Sequence, residues 1–247
     1  MAKEIKHGVQ IGATPDVQSQ EHILDKLNEE RAVAIALTPH HDSFQQCVAD
    51  VVTESCPNGD ATIIELGTGT GTSTEVVLKT NPNAHIIGVD SSKKRLDRAR
   101  VRLQDNSDRV ELVNQDFEEF ASTLPDSSAD CIFTAFSLHN LPLEQRRSIL
   151  TVIAAKLKSG GVFVDGDKHG FENPEDNESA FSQQINLIRD NFAAQPEMRD
   201  LWENHYKEDF EIDEPREAYK RFLESIGFEV SFRLEYGLEV VVVAKKI

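Results

Sequence analysis

At 247 residues, with 39% hydrophobic and 28% charged side chains, the chain has the make-up of a globular protein with a sizeable core. Its formal net charge of −17 repels phosphate backbones and anionic membranes, so an extended nucleic-acid surface is disfavoured. Three cysteines, Cys47, Cys56 and Cys131, are too few and too odd for a disulfide framework, and no apolar run approaches a membrane span or a leader behind Lys3, Lys6 and His7.

Residues 1–20 are polar and aperiodic and read as an arm. Over 21–37 the spacing of Ile23, Leu24, Leu27, Val33, Ala34 and Leu37 is helical, and Pro39 ends it. A second helix is predicted from Asp42 or Ser43, an N-cap candidate, to about residue 53, burying Phe44, Cys47, Val48 and Val51. The turn at 56–60 then feeds a short apolar run, Thr62, Ile63, Ile64 and Leu66, of the kind found in a parallel strand covered on both faces. Gly67, Gly69 and Gly71 follow at once. Their spacing lets the backbone turn sharply and enter a helix that Thr72, Ser73 or Thr74 can cap. Such a turn lies at the carboxyl end of a strand, where open α/β sheets bind ligands. A dinucleotide fingerprint would need glycine where Thr72 stands, and the Gly-Lys-Ser/Thr of a phosphate-binding loop is absent.

A second strand over 84–89 ends at Asp90, 19 positions beyond Gly71. An acidic residue there is placed to accept two ribose hydroxyls, or to cap the helix starting near Ser92. That helix gathers Lys93, Lys94, Arg95, Arg98, Arg100 and Arg102, read as a solvated face. A third strand, 109–113, leads to Asp116 and Phe117, and a fourth, 130–136, leads to Leu138, His139, Asn140, Leu141 and Pro142. A helix over 143–158, a turn at Ser159, Gly160 and Gly161, and a fifth strand over 162–164 come next. Residues 168–213 are too long for an ordinary connection and contain two helical patterns, 178–192 and 197–206. The chain finishes with an amphipathic helix over 214–225, closed by Gly227, and two strands, 228–234 and 238–244. These join at Glu235, Tyr236 and Gly237 in a hairpin that forces antiparallel pairing.

The run from Glu65 to Gly71, ELGTGTG, resembles motif I of the class I S-adenosylmethionine-dependent methyltransferases. Asp90, the Asp116-Phe117 pair, the LHNLP segment and the glycine turn before the fifth strand follow in that family's order over residues 60–167. The resemblance implies an α/β, Rossmann-like fold. It would have a seven-stranded, mostly parallel sheet with an antiparallel last strand, helices on both faces and a helical lid. Residues 1–56 would supply the arm and lid helices, and 57–247 the methyltransferase domain with its insertion at 168–213. The implied cofactor is S-adenosyl-L-methionine. Gly67, Thr68, Gly69, Gly71 and the helix N-terminus would hold its carboxylate, and Glu65 would accept from its ammonium or brace the loop. Asp90 and Ser91 would meet the ribose, Asp116 the adenine amino group and Phe117 the ring, with Ala135 and Phe136 near the sulfonium.

Methyl transfer needs alignment and exclusion of water, and a base only where the acceptor must lose a proton. Five histidines lie on segments that can face the pocket: His40, His41, His139, His169 and His205. His139 is the first candidate base, with a structural or capping role as its alternative. His205 and Tyr206, with Trp202 one turn earlier, read as acceptor-facing residues of the lid or as core packing. Metal-ligand types occur at 40–42 and 165–169. The acidic residue that metal-dependent catechol-type members of the fold carry at the end of the fourth strand is replaced by Thr134, Ala135 and Phe136, so no metal is expected. Asp165 and Asp167 read as sheet-edge residues that shape the acceptor pocket. The expectation is a cytoplasmic enzyme methylating a small-molecule acceptor, with no nucleic-acid or membrane partner and compatible with a homodimer. A protein or RNA methyltransferase, or a non-catalytic S-adenosylmethionine-binding module, stays open as the alternative.

Overall fold

Seven strands form one sheet: β1 (Ile63–Leu66), β2 (Ile86–Asp90), β3 (Val110–Asn114), β4 (Ala129–Ala135), β5 (Leu157–Lys168), β6 (Phe228–Tyr236) and β7 (Glu239–Lys246). Their order is β3-β2-β1-β4-β5-β7-β6. The first five run parallel, and β7 is antiparallel to both β5 and β6. The computed structural model describes residue 29 and residues 31–212 and 214–247. The expected arm at 1–20, and the helix expected from 21 as far as residue 28, lie outside the described residues; residues 31–37 are helical.

All four residues of β1 are buried, because helices cover both of its faces. On one side Phe44 and Val48 of α1 (His41–Ser55), Val77 and Leu78 of α2 (Thr72–Thr80) and Ala99 of α3 (Lys93–Arg102) pack with Ile63 and Phe133. On the other, Phe120 of α4 (Phe117–Thr123), Ile149 and Ile153 of α5 (Leu143–Lys156) and Leu223 of α8 (Arg216–Ser225) pack with Ile64 and Leu66. A third cluster stands above the sheet. It joins Leu37 to Ile185 and Ile188 of α6 (Pro174–Asn191) and Tyr206 of α7 (Pro196–Ile212), so the insertion and the helical residues 31–37 form a common cap.

Several expected boundaries are corrected. His40, not Asp42 or Ser43, precedes the first residue of α1, and Gly71 in the left-handed region, not a threonine or serine, precedes α2. β5 begins at Leu157, opposite Ala129, and runs on to Lys168; Ser159, Gly160 and Gly161 lie inside it as a bulge, where the register with β4 jumps to Cys131 opposite Val162 and Gly160 has φ of 78°. The strand continues past the expected end at Val164 because β7 pairs with β5 from Val162 to Lys168. Asp165 and Asp167 are therefore not edge residues. They sit on an interior strand between β4 and β7, at 0% and 1% exposure. Phe136 falls outside β4, in a left-handed turn with φ of 51°.

Candidate functional site

The glycine turn between β1 and α2 is tied to the end of β2. Backbone N–H groups of Gly67 and Thr68 donate to the carbonyl of Val89 at 2.8 and 3.0 Å. Gly69 N–H donates to Asp90 Oδ2 at 2.9 Å, while Asp90 Oδ1 accepts from Ser92 N–H at 2.7 Å. Asp90 thus braces the loop, and Ser92 rather than Asp90 caps α3. Gly67 has φ of 81°, and a Cβ there would lie 2.0 Å from Ser137 Oγ. A Cβ on Gly71 would meet Leu103 at 3.0 Å and Ala99 at 3.3 Å, so glycine there lets α3 pack against the turn.

Gly71 offers no side chain to cap α2, so among the described residues the first N–H groups of that helix have no side-chain cap. They stand at a cavity of about 410 Å3 lined by Gly67, Thr68, Gly69, Thr70, Thr72 and Ser73, with Ala135 and Phe136 opposite. A volume within the roughly 300–1,000 Å3 of small-molecule sites, ending on a helix N-terminus, suits a ligand with a carboxylate. Glu65 lies beneath. Burial pushes its carboxyl up to about 8, against the Thr74 hydroxyl that donates to it. Asp116 Oδ1 accepts from the N–H groups of Glu118 and Glu119 at 2.8 and 3.1 Å and so caps α4, with Phe117 packed on the core beside it. Asp90, Ser91, Asp116 and Phe117 flank the loop at the ends of β2 and β3 without lining this cavity.

Next to it lies a larger cavity of about 860 Å3 beneath the cap. Ala34, His41, Arg95 and Phe136 belong to the walls of both, so the two spaces adjoin there. Phe136 is held in place by stacking on Phe44, with ring centroids 4.7 Å apart. From α7, the side chains of Met198, Leu201, Trp202, His205 and Tyr206 line the larger cavity; their spacing of three and four puts them on one helix face.

His139 stands in the same wall, on a single 3-10 turn (Leu138–Asn140) after β4. Its backbone N–H donates to Asp167 Oδ2 at 3.0 Å, and its Nδ1 lies 2.5 Å from Asp167 Oδ1. Burial alone would raise the Asp167 carboxyl, but the His139 and His169 imidazoles and the Lys168 backbone N–H hold it well below the ordinary carboxylate range. Arg146, at 1% exposure, donates to the carbonyls of His139 and Leu141 and fixes the segment from below. The second carboxylate on β5, Asp165, accepts from Thr134 Oγ1 and Tyr219 OH at 2.7 Å each and contacts His169 Nε2 at 3.3 Å. His169 is therefore part of a buried network rather than a cavity wall, and His40 stacks on Tyr236 at 3.9 Å. His41 and His205 do line the larger cavity. Tyr206 does so as well, with Lys168 Nζ 3.9 Å over its ring. Among the described residues no three His, Cys, Asp or Glu side chains converge as a metal set.

Three contributors were missed in the sequence: Lys168, Arg146 and the pairing of Asp167 with His139. Strand alternation carries part of the signal, since it sends Asp165 and Asp167 to one face of β5 and Lys168 to the other. Nothing local marks Arg146.

A family model described as Methyltransferase domain matches residues 63–161. Over 165 residues the chain is 26% identical to a carboxy-S-adenosyl-L-methionine synthase of Nautilia profundicola, covering 65% of this chain and 61% of that protein. It is 31% identical over 114 residues to a trans-aconitate 2-methyltransferase of Azoarcus sp., covering 46% of this chain and 42% of that protein. The chain therefore spans less than two thirds of the length of these curated relatives. An O-methyltransferase family protein from Burkholderia thailandensis shares the fold, with a TM-score of 0.61 at 19% identity, over 94% of this chain and 60% of that one.

Proposed function

From a chain that belongs to the class I S-adenosylmethionine-dependent methyltransferase family, we infer an enzyme that methylates a hydroxyl of a small-molecule acceptor. The family's donor is S-adenosylmethionine, and the uncapped N-terminus of α2 beside the smaller cavity fits its carboxylate. In this reading Gly67, Thr68 and Gly69 shape the donor pocket, and Glu65 braces it from beneath. Asp90 and Ser91 take the ribose side, Asp116 and Phe117 the adenine side, and Ala135 and Phe136 the reacting end. When bound, the donor supplies an electrophilic methyl: the acceptor O–C bond forms as the S–C bond breaks, and S-adenosylhomocysteine leaves.

The single observation that carries the transfer reading is the Asp167–His139 pair in the wall of the larger cavity. Asp167 fixes the imidazole through Nδ1, and in this reading the oriented His139 takes the hydroxyl proton. A module that only held the cofactor would have no use for an oriented base. The apolar side chains of α7, with His205 and Tyr206, line the space for the acceptor. An acceptor within about 860 Å3 is of small-molecule size, and the charge of −17 disfavours RNA. The test is transfer of labelled methyl from S-adenosylmethionine to a panel of hydroxylated small molecules, with wild type and His139→Gln. Transfer that falls by about 10² to 10⁴ in the variant, with stabilisation by S-adenosylhomocysteine unchanged, supports the reading. Equal transfer by both proteins removes His139 from the chemistry.

A further inference from the structure

We infer that His41 is a second acid–base residue of the transfer, placed where the donor and acceptor spaces meet. This rests on the transfer reading above and adds a proton acceptor on the donor's side of the substrate. His139 borders only the larger cavity, whereas His41 lines both. Transfer has to take place where the two spaces adjoin, because the attacking oxygen and the leaving sulfur share one carbon. Among the described residues His41 is the one imidazole at that boundary. It is the first residue of α1, and the next turn of the same helix face carries Phe44, which stacks on Phe136 of the boundary, and Gln45, which lines the donor cavity.

One nitrogen of the His41 ring is anchored and the other is bare. Nδ1 lies 3.2 Å from Asp42 Oδ1, and Asp42 Oδ2 accepts from Arg31 Nη2 at 2.9 Å. The contact with His41 holds the Asp42 carboxyl below its ordinary value, against slight burial and with help from Arg31. An ionised carboxylate only accepts, so in the neutral imidazole Nδ1 carries the hydrogen and Nε2 keeps its lone pair. Nε2 has no hydrogen-bond partner among the described residues, and it is not among the polar atoms sealed inside the protein, although His41 as a whole is buried. The accessible nitrogen of a buried ring is presented to the cavities which that ring lines. An acceptor hydroxyl at the boundary can therefore donate to it. As the O–C bond forms, the O–H bond breaks and its proton passes to Nε2, while the electron pair of the breaking S–C bond leaves with sulfur. The chain from Arg31 through Asp42 to His41 shares no residue with the Asp167–His139 pair, so the two imidazoles can be removed one at a time.

Transfer of labelled methyl from S-adenosylmethionine to phenol, 2-naphthol, 1,2-dihydroxybenzene and 2-hydroxyglutarate is measured with the full chain as wild type, His41→Ala, His41→Gln and His139→Gln. With the best of these acceptors, His41→Ala should lower kcat by about 10-fold or more and leave the acceptor's KM, and stabilisation by S-adenosylhomocysteine, within about twofold. Imidazole at tens of millimolar should recover at least about fivefold of that loss in His41→Ala, where the vacated space admits it, and not in His41→Gln, where the amide fills it. A residue that only packs would give no such recovery. Turnover of His41→Ala within twofold of wild type would overturn the inference and leave the transfer reading standing. So would a loss confined to KM, or one that imidazole fails to reverse or reverses equally in His41→Gln. An imidazole-reversible loss at position 41, with none in His139→Gln, would support His41 and sink the assignment of the proton to His139. No transfer by wild type to any of the four acceptors, with S-adenosylhomocysteine still stabilising the protein, would sink both.

Discussion

Glu65 offers a measurement of the site that needs no substrate. Its carboxyl lies at the end of β1 at 1% exposure and is pushed from 4.5 up to about 8, first by burial and in part by the nearby Asp90 charge. An acid whose folded pKa is raised favours the fold while protonated and opposes it once ionised. Its contribution is thus intact below pH 4.5, falls by about 1.4 kcal/mol per pH unit above that, and levels off past pH 8. The whole span is on the order of 5 kcal/mol, comparable with the net stability of many domains. Glu65→Gln keeps an oxygen for the Thr74 hydroxyl and removes the titration. Urea unfolding of both proteins at each pH from 5 to 9 should give curves that diverge steadily, the glutamine variant ahead by several kcal/mol at pH 9. Parallel curves would show that Glu65 is hydrated or paired in the folded protein, and that it is not the buried brace described above.

Asp167→Asn should lower turnover by about 10² to 10⁴ with stabilisation by S-adenosylhomocysteine retained. Because the Asp167 carboxyl is held low, its stabilising contribution is present above its ordinary value of 3.8 and is lost as pH falls below it. Denaturant titrations should therefore show wild type ahead of Asp167→Asn at neutrality, with the gap closing in acid. Gly67→Ala forces a side chain into the left-handed region and against Ser137, which should cost at least about 1–3 kcal/mol by chemical unfolding. Adding Ser137→Gly should recover the steric part only. A ligand at about 100 times its dissociation constant adds roughly 2.7 kcal/mol. Thermal scans should show that gain with S-adenosylmethionine and S-adenosylhomocysteine, none with NAD, and its loss in Asp90→Ala; a shift with NAD alone would refute the donor pocket.

The glycine turn, Asp90 and His139 could be named because each stands next to the end of a strand, while the partners of Asp90 and His139, Gly69 and Asp167, lie 21 and 28 positions away. Left-handed backbone calls for glycine at 67, and a strand that ends in an acidic residue presents it beside the adjoining loop. The alternation of strands and helices followed from helices of ordinary length between the strands. What stayed hidden depends on residues far apart in sequence. The true length of β5 is set by pairing with Val240, Val241 and Val242, more than 70 positions later, and without that pairing Asp165 and Asp167 read as edge residues. Lys168 was taken as the start of the insertion for the same reason. Its place in the cavity is decided jointly by β7 and by Tyr206 on the cap. Arg146 lay in an ordinary amphipathic helix pattern, and only the path of the backbone from His139 to Leu141 gives its guanidinium acceptors.

Asp167 and Lys168 are consecutive residues of β5, and a strand sends consecutive side chains to opposite faces. One delivers a carboxylate to His139, and the other delivers a cation to the space under the cap. Their assignment to those faces is a matter of phase alone. A slip of one residue in the pairing of β5 with β7 would exchange them, placing an ammonium against the imidazole and a carboxylate in the cavity. The valines of the C-terminal hairpin, Val240 directly opposite Asp167 among them, therefore act as the key that sets the polarity of the chemistry.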